Sequence, residues 1–337
     1  MSIKRIAVLT TGGDAPGMNA GIRAVVRYAT YNKLEVMGVF RGYAGLINDE
    51  VELLNHRSVS GIINLGGTIL KTVRCQEFHN AEGQERAFNT LKRHSIDGIV
   101  VIGGNGSFRG AHEFYMRYKV PCIGIPASID NDINGIDETI GLDTAINTAL
   151  SAIDNIRDTA TSMERIFVVE VMGRESGYIA LQVAIAGGCE DVIIPERKFD
   201  TSTSLECYGE PSRTIDLHSI CHGIVEGNLR GKISWIIVVA EGAGSAFDIA
   251  RNITEMTSLE TRPVVLGHIQ RGGRPTAASR ILALKLGQAA VECLLKGESD
   301  KAVAIKDGKT LTVDFEFAVR KKYLDTDNIY NLIKVLT

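Results

Sequence analysis

Short apolar runs alternate along the chain with glycine-rich turns and with longer spans of helical periodicity. The runs predict buried strands at residues 6–9, 98–102, 122–125, 165–171, 234–240 and 264–266. The longer spans predict helices at about 19–30, 108–118, 178–186 and 276–295. Because strands that alternate with helices are typical of βαβ units, the pattern predicts an α/β fold with mainly parallel sheets flanked by helices.

The length of 337 residues fits two domains of ordinary size. Glycines and polar residues gather after each of the predicted strands. An open parallel sheet binds its ligands where the strands end. The same placement in several units therefore predicts a ligand cleft that is formed by the ends of several strands.

The acidic segment at residues 126–132 (PASIDND) directly follows a predicted strand. Asp130 and Asp132 are two residues apart, so an extended backbone would point both carboxylates the same way. Repulsion between like charges helps to hold one of them ready to accept a proton. A carboxylate beside a substrate hydroxyl is the usual base in phosphoryl transfer, and a turn that caps a helix is the structural alternative. On this segment alone the two interpretations are evenly matched.

Two glycine-rich turns, at residues 10–17 (TTGGDAPG) and 103–107 (GGNGS), lead into predicted helices. Backbone N–H groups at the start of a helix bind phosphate, and glycine lets the phosphate approach. Neither turn ends in the Gly-Lys-Ser/Thr of a P-loop, and Arg109 occupies the place of the third glycine of a dinucleotide-binding motif. Each turn alone is equally well explained as a plain turn.

Cations recur in the loops around the predicted strands. They are Arg74, Arg165, Arg174, Arg262, His268 and Arg271. Arginine forks suit phosphate oxygens, and a shared position after strands favours a phosphate site over unrelated surface residues. Glu241 also follows a strand and would accept hydrogen bonds from substrate hydroxyls or cap a helix. Arg23 and Arg27 lie four residues apart on the first helix, and on the residues alone we interpret them as a solvated face.

Composition narrows the class of protein. The net charge of −3 gives no basic field for nucleic acid or an anionic membrane. The six cysteines form no C-x-x-C pair and no zinc spacing, as is typical of a reduced, cytosolic protein. No apolar stretch approaches the roughly 20 residues of a membrane helix, and the one near the start is too short for a signal sequence. We therefore expect a cytoplasmic protein with no nucleic-acid or membrane partner.

Three stretches carry no chemistry that the residues assign. Residues 200–216 are polar, lack periodicity and predict a surface loop. Residues 311–317 are strand-like, and residues 325–335 have the pattern of an amphipathic helix.

The residues together predict an enzyme that binds phosphorylated ligands and transfers a phosphoryl group to a hydroxyl. A nucleotide or sugar-phosphate sensor without catalysis would use the same glycine turns and arginines. The pair Asp130 and Asp132 favours the enzyme, because a pure binder has little use for two unneutralised carboxylates.

Five motifs resemble the bacterial ATP-dependent 6-phosphofructokinase family. They occur in the family's order at residues 11–19, 103–107, 128–132, 171–174 and 266–273, and the likeness runs from residue 4 to about 295. The resemblance implies a glycolytic kinase that converts MgATP and fructose 6-phosphate into ADP and fructose 1,6-bisphosphate, with Mg²⁺ as cofactor. It also implies a nucleotide-binding domain at 1–141 plus about 270–320, and a sugar-phosphate-binding domain at 142–269 plus about 321–337, with the active site in the cleft between them.

The resemblance assigns roles residue by residue. Asp130 would be the base for the 1-hydroxyl and Arg174 would stabilise charge on the transferring phosphoryl group, with Gly12 and Asp132 completing the catalytic set. Ser128, Met172, Gly173 and Glu241 would hold the sugar, and Arg165, Arg262, His268 and Arg271 its 6-phosphate and hydroxyls. In the family the first two of these arginines reach across from a neighbouring subunit, which implies a homotetramer. Gly12, Tyr43, Arg74, Cys75, Gly104, Asn105, Gly106 and Ser107 would bind the nucleotide.

The family also has an effector site for ADP or phosphoenolpyruvate between subunits. The matching residues here are Arg23, Arg27, Arg157, Gly188, Glu190, Arg230 and Lys232. This assignment replaces the interpretation of Arg23 and Arg27 as a solvated face. His56 stands where the family commonly has Arg and Gly61 where it has Asp, so the effector would differ or its control would be altered.

Three positions bear on the phosphoryl donor and the metal. Gly106 and Ala127 favour ATP, because relatives that use pyrophosphate carry Asp and Lys there. Asn105 stands where the family has the Asp that holds Mg²⁺, and losing one such electrostatic contact costs about 10²–10³ in rate. The alternative function is therefore a low-activity or non-catalytic homologue that senses nucleotide and sugar phosphate, and either a natural paralogue or a deliberate Asp→Asn change would explain the asparagine.

Overall fold

The computed structural model describes residues 3–200, 214–306 and 308–337. The chain divides into two compact units, Met1–Thr144 with Arg271–Tyr323 and Ala145–Gln270 with Leu324–Thr337. We call them the first and the second unit. Within the described ranges no helix is long and apolar enough to cross a membrane.

The strands and helices alternate through both units. The strands are β1 (Arg5–Thr10), β2 (Glu35–Val39), β3 (Val51–Leu54), β4 (Gly98–Gly103), β5 (Cys122–Pro126), β6 (Ile166–Val171), β7 (Asp191–Ile193), β8 (Lys198–Asp200), β9 (Thr214–Asp216), β10 (Trp235–Ala240), β11 (Thr261–Val265), β12 (Lys301–Lys306) and β13 (Lys309–Asp314). The α-helices are α1 (Met18–Tyr31), α2 (Tyr43–Asn48), α3 (Ala81–Arg93), α4 (Asn105–Tyr118), α5 (Leu142–Met163), α6 (Tyr178–Ala186), α7 (Leu217–Leu229), α8 (Ala246–Thr257), α9 (Ala277–Leu295), α10 (Phe315–Ala318) and α11 (Asp327–Leu336). Short 3₁₀ helices form at Gln76–His79 and Gly267–Arg271.

The first unit is built on one sheet in the order β13-β12-β5-β4-β1-β2-β3. Neighbours from β12 to β2 run parallel, and the outer strands β13 and β3 are antiparallel. Every residue of β4 is buried, as expected for a parallel strand covered on both faces. The carboxyl ends of β1, β4 and β5 therefore meet at one edge of this sheet.

Aromatic side chains fill the core of the first unit between the sheet and α4. The rings of Phe108 and Phe315 lie 5.0 Å apart, and both side chains are fully buried. Gly124 of β5 makes this packing feasible, because a Cβ there would come within 2.5 Å of Phe108 and 2.6 Å of Phe315. A glycine inside a strand here marks the close approach of two rings rather than a turn.

The second unit contains a parallel sheet in the order β11-β6-β10-β7. The helix α11 returns to this unit at the end of the chain. Arg197 bonds Asp327 at 2.7 Å and lies 3.8 Å over the ring of Tyr330, and Lys334 bonds the buried Asp191 at 2.5 Å. Burial raises the pKa of Asp191, which Lys334 partly opposes.

The α/β fold with mainly parallel sheets is confirmed, and each predicted strand is present within two or three residues of its predicted bounds. The strand predicted at 311–317 is present as β13, but it ends earlier than predicted, at Asp314, because α10 begins at Phe315, whose ring packs on Phe108. The loop predicted at 200–216 is wrong at its ends, where β8 and β9 pair in parallel. Its middle, residues 201–213, lies outside the described residues.

Replacing Gly124 with Ala tests the ring packing. We expect Gly124→Ala to lower the free energy of unfolding by about 1–3 kcal/mol, because Phe108 and Phe315 must move apart. Thermal unfolding measures this change. The control is Gly223→Ala on α7, where a Cβ meets nothing within 4 Å and helix propensity favours Ala by about 1 kcal/mol. Equal stability of the two variants would contradict the packing argument.

Candidate active site

A cavity of about 320 Å³ opens in the first unit at the carboxyl ends of β1, β4 and β5. Most of the predicted nucleotide and catalytic residues of this unit line it. They are Gly12, Tyr43, Arg74, Cys75, Gly104, Gly106, Ser107, Ser128, Asp130 and Arg271. A sheet edge that brings glycine turns, cations and a carboxylate around one cavity is suited to a phosphorylated ligand.

The two glycine turns are bonded to each other beneath this cavity. The hydroxyl of Ser107 donates to the carbonyl of Thr11 at 3.0 Å, and Thr72 donates to the carbonyl of Gly12 at 2.8 Å. Gly12 has φ +88, a left-handed conformation that favours glycine. At Gly103 a Cβ would come within 2.5 Å of the Thr11 carbonyl, so only glycine lets the turns meet.

The helix α4 begins at the cavity with its N–H groups uncapped by any side chain. Its N-cap is Gly104, and Gly106 follows in open space, where a Cβ would meet nothing within 4 Å. The first N–H groups of a helix carry partial positive charge and bind anions. This end of α4 therefore suits the phosphates of a nucleotide that enters between the glycine turns.

An aromatic wall closes one side of the cavity. Tyr43 stacks on Phe78 with ring centroids 3.9 Å apart, and its hydroxyl donates to the Ser107 carbonyl at 2.6 Å. Burial raises the pKa of Tyr43 well above its usual value, so the phenol stays neutral and remains a donor. The wall thereby fixes the backbone of the second glycine turn.

Asp132 organises the acidic segment after β5. Its carboxylate accepts hydrogen bonds from Ser128 Oγ at 3.0 Å and from Asn105 Nδ2 at 2.9 Å, and Asn105 also donates to the Asp132 carbonyl at 2.9 Å. Asp130 is half-buried and lines the cavity, and its backbone N–H donates to Ser128 Oγ at 3.3 Å. The two carboxylates thus have separate surroundings.

The expectation of two carboxylates aligned by an extended backbone is wrong. Asn131, which separates them, adopts a left-handed conformation with φ +50. Its side chain is buried and donates to the Asp137 carbonyl at 3.0 Å, which fixes the turn. Asp130 therefore faces the cavity while Asp132 is bonded to the start of α4.

Asn105 supplies an oxygen that suits a metal ion. Because Nδ2 is committed to Asp132, the amide oxygen Oδ1 points away from it, is buried and has no hydrogen-bond partner among the described residues. A hard cation such as Mg²⁺ prefers oxygen ligands. In the described ranges no group of three or more His, Cys, Asp or Glu side chains could hold a metal ion, so most ligands would come from a bound nucleotide.

The second unit gathers its predicted sugar residues at the carboxyl ends of β6 and β10. Arg174 Nε lies 3.5 Å from Glu241 Oε1, and the N–H of Gly242 donates to the Gly173 carbonyl at 3.0 Å. The Arg174 side chain is 75% exposed and is therefore free to bind a further anion. Met172 follows β6 directly, and its N–H donates to Gln270 Oε1 at 3.4 Å.

Arg165 and Arg262 lie at the amino ends of the strands of this sheet. Arg165 directly precedes β6, and Arg262 is the second residue of β11, so the expectation that both follow strands is wrong. Both pair with Glu260, which Arg165 Nε approaches to 2.9 Å. Desolvation of the Glu260 carboxyl raises its pKa, but the hydrogen bonds and charges of Arg165 and Arg262 together lower it further, so the pKa lies below its usual value. Arg165 and Arg174 lie at opposite ends of β6, whose six residues of about 3.3 Å each span roughly 20 Å. Arg262 of β11 pairs with Phe167, near the same end of β6 as Arg165.

His268 and Arg271 follow β11 on the 3₁₀ helix Gly267–Arg271. His268 is exposed. Arg271 belongs to the first unit, where Nη1 donates to the Asp14 carbonyl at 3.3 Å and lies against Gly13. Arg271 therefore lines the cavity of the first unit.

The predicted effector residues occur in two groups. Arg157 donates to the carbonyls of Gly187 at 2.5 Å and Gly188 at 2.9 Å. Lys232 bonds the buried Glu190 at 3.1 Å and lies 4.4 Å over the ring of Trp235. Arg230 bonds Glu226 at 3.3 Å and remains largely exposed. This group belongs to the second unit.

The other group is Arg23 and Arg27 on α1 of the first unit, and both are half-buried. Burial and the neighbouring charge of Arg27 lower the pKa of Arg23. Arg27 Nε is buried without a hydrogen-bond partner among the described residues. The interpretation of this pair as a fully solvated face is therefore wrong.

Some residues of the site escaped the sequence analysis. Phe78 and Thr72 belong to the long segment between β3 and α3, which has no periodic pattern in the sequence. Gln270 is fully buried and bonds both Met172 and the Gly267 carbonyl. Gln270 was missed because a neutral glutamine between His268 and Arg271 matches no motif and carries no charge that would indicate a binding residue.

The chain is similar to known phosphofructokinases along nearly all of its length. A family model described as phosphofructokinase matches residues 5–294. The ATP-dependent 6-phosphofructokinase of Bacillus subtilis (strain 168) is 49% identical over 335 residues, which are 99% of this chain and 100% of that protein. Its counterpart in Thermotoga petrophila is 48% identical with the same coverage. A solved phosphofructokinase from Saccharomyces cerevisiae, 33% identical, matches with a TM-score of 0.86 over 94% of this chain and 45% of its own.

Replacing Asn105 with Asp tests the bond to Asp132. In metal-free buffer we expect Asn105→Asp to lower the free energy of unfolding by about 1–3 kcal/mol, because a carboxylate replaces the donor and repels Asp132. Added Mg²⁺ should reverse most of this loss. Thermal unfolding with and without Mg²⁺ measures both effects.

The control for this prediction is Asn89→Asp on the exposed side of α3, which makes the same change of charge. If both variants lose the same stability, or if Mg²⁺ changes neither, then Asn105 does not link Asp132 to a cation site.

Proposed function

Since this chain belongs to the phosphofructokinase family, we propose that it is an ATP-dependent 6-phosphofructokinase. It transfers the terminal phosphoryl group of ATP to the 1-hydroxyl of fructose 6-phosphate and gives ADP and fructose 1,6-bisphosphate, a step of glycolysis. The observation that carries the proposal is the position of Asp130 on the same cavity as both glycine turns. A carboxylate next to a phosphate cradle is the arrangement that phosphoryl transfer to a hydroxyl requires.

The first unit binds the nucleotide in this proposal. Gly12 and the residues from Gly104 to Ser107 hold the phosphates with backbone N–H groups, supported by the open helix start and the bond from Ser107 to Thr11. Tyr43, Arg74 and Cys75 complete the lining of the cavity. The unit corresponds to the nucleotide-binding domain at 1–141 and about 270–320.

Asp130 acts as the base that takes the proton of the 1-hydroxyl, because it is a half-buried carboxylate on the cavity. Asp132 serves the same reaction by fixing the turn, since its carboxylate accepts the bonds from Ser128 and Asn105. Ser128 is thereby held at the lining of the cavity, where it contacts the sugar. Geometry of this kind matters because a misplacement of about 1 Å costs on the order of 100-fold in rate.

The second unit binds the sugar phosphate, as a domain at 142–269 and about 321–337. Met172, Gly173 and Glu241 contact the sugar hydroxyls, and His268 the 6-phosphate. Arg174 stabilises the charge of the transferring phosphoryl group. Its guanidinium is suited to this role because it is exposed and can bind a phosphate oxygen beside its ion pair with Glu241. Arg271 completes the set from the first unit. The location of the whole site in a cleft between the two domains stays a prediction.

Arg165 and Arg262 serve the site of a neighbouring subunit in a homotetramer. Their position at the opposite edge of the sheet from Arg174 supports this assignment, because one bound sugar phosphate cannot span the roughly 20 Å of β6. Glu260 holds the two side chains together until a phosphate binds.

Asn105 would hold Mg²⁺ through Oδ1, together with the phosphates of ATP. The ion would offset negative charge on those phosphates when bound. Asn105 lacks the charge of the family's aspartate, yet its oxygen is kept in place by Asp132. No observation on the described residues or on the relatives favours the alternative of a low-activity sensor.

ATP is the proposed donor rather than pyrophosphate. The open space at Gly106 supports this choice, because a larger side chain there would occupy room needed by the inner phosphate. Ala127 is 2% exposed and adds no charge at the end of β5.

The effector proposal is ADP or phosphoenolpyruvate bound between subunits. Arg157 and Lys232 are oriented by their bonds to Gly188 and Glu190, and the half-buried Arg23 and Arg27 repel each other until an anion binds. His56 and Gly61 are exposed and would change this control.

We place the protein in the cytoplasm. The free thiols of the described cysteines are consistent with a reducing compartment.

The direct test is formation of fructose 1,6-bisphosphate from fructose 6-phosphate and MgATP, with Asp130→Ser as the catalytic variant. Loss of the base should lower kcat by about 10²–10⁴-fold while fructose 6-phosphate still binds. Glu138→Ser removes an exposed carboxylate of the same segment and serves as the control. Unchanged turnover of Asp130→Ser would refute its role, and faster turnover with pyrophosphate than with ATP would refute the donor.

Mixing two inactive variants tests the shared site. Arg262→Ala and Asp130→Ser should each lose activity at limiting fructose 6-phosphate when refolded alone. When they are refolded together, roughly a quarter of the sites in random tetramers combine an intact base with an intact neighbour. Activity should return to that fraction of the unmodified protein. Failure of the mixture to recover would place Arg262 in its own chain's site or in none.

A further inference from the structure

The acidic loop, residues 128–139, is held from two directions within the first unit. On one side Asp132 is bonded to Ser128 and Asn105, and Thr139 Oγ1 bonds the Ser128 carbonyl. These contacts fix the two ends of the loop next to β5 and α4. They leave its outer part, residues 133–137, without a bond to either element among the contacts of the described residues.

The outer part of the loop is bonded to a segment that is about 180 residues away in the sequence. The N–H of Asn134 donates to the Ala318 carbonyl at 3.1 Å, and Ile133 forms an antiparallel bridge with Lys321. Gly135 has φ +73 and packs so closely on Phe317 that a Cβ would come within 2.9 Å of its ring. The segment 317–322 therefore acts as the second support of the acidic loop.

Lys322 ends this segment and brings a charged group to the loop. Its Nζ donates to the Ile136 carbonyl at 2.6 Å, and its side chain is half-buried. Burial lowers the pKa of Lys322, while the charges of Asp137 and Asp132 act in the opposite direction. Because the ammonium bonds a carbonyl, it leaves the Asp132 carboxylate to Ser128 and Asn105.

We propose that Lys322 is a positioning residue for Asp130, which holds the acidic loop through the Ile136 carbonyl. The catalytic part of this proposal rests on the proposed function. Residues 128–139 carry four carboxylates, at Asp130, Asp132, Asp137 and Glu138, and Asn105 supplies no charge, so a cation stabilises this loop. Without it, the outer loop would lose its charged anchor and Asp130 would sample positions away from the sugar hydroxyl.

The test compares Lys322→Met, which removes donor and charge, with Lys322→Arg, which keeps both. Hydrogen exchange of the backbone amides in residues 129–137, measured without substrate, should become about 10-fold faster in Lys322→Met and stay nearly unchanged in Lys322→Arg. Lys321→Met is the matched control, since its side chain is exposed and one residue away. Lys322→Gln, which keeps a donor and loses the charge, replaces Lys322→Met if that variant does not fold.

Kinetics supply the second readout. We expect Lys322→Met to lower kcat by about 10–100-fold with an unchanged KM for ATP, and Lys322→Arg to restore most of kcat. Equal exchange in Lys322→Met and Lys321→Met would overturn the anchoring role. A rise in the KM for ATP with unchanged kcat would overturn the positioning of Asp130. If the unmodified protein makes no fructose 1,6-bisphosphate, the proposed function fails, and the exchange data still decide the anchoring role.

Discussion

The hydrogen bonds accepted by Asp132 are the interaction on which the site of the first unit depends. They join Ser128, which follows β5, to Asn105, which begins α4 after β4. The helix start that is suited to phosphate and the loop that carries Asp130 are therefore fixed relative to each other. The remaining bond of the set, from Ser107 to Thr11, adds the turn after β1. Loops from three neighbouring strands are thus tied together by short side chains and close backbone contacts.

Charge in this arrangement is distributed differently from what an aspartate at position 105 would give. Asn105 is neutral and donates to Asp132, so the bond holds without a cation. With an aspartate there, two carboxylates would face each other and would need a metal ion or a proton between them. Lys322 donates to the Ile136 carbonyl of the loop, and the charges of Asp137 and Asp132 oppose the lowering of its pKa by burial. The loop is therefore ordered by neutral donors, with one lysine as its charged contact.

The parallel sheet of the second unit separates two sets of arginines that the sequence does not distinguish. Arg174 lies at the carboxyl end of β6, and Arg165 precedes the same strand at its amino end. All strands of this sheet run in one direction, so residues before and after a strand lie at opposite edges. Arg165 and Arg174 therefore lie at opposite ends of β6, a separation that the sequence does not reveal.

The sequence by itself determined the alternation of strands and helices, the glycine turns, and the grouping of phosphate-binding residue types after strands. It did so because buried parallel strands are apolar along their length and because turns that approach a ligand need glycine. The tertiary structure alone decided the left-handed turn at Asn131, the break between β13 and α10, and the partners of Asn105 and Lys322. These features depend on contacts between distant residues, such as Lys322 with Ile136, which are 186 positions apart, and local periodicity carries no information about such pairs.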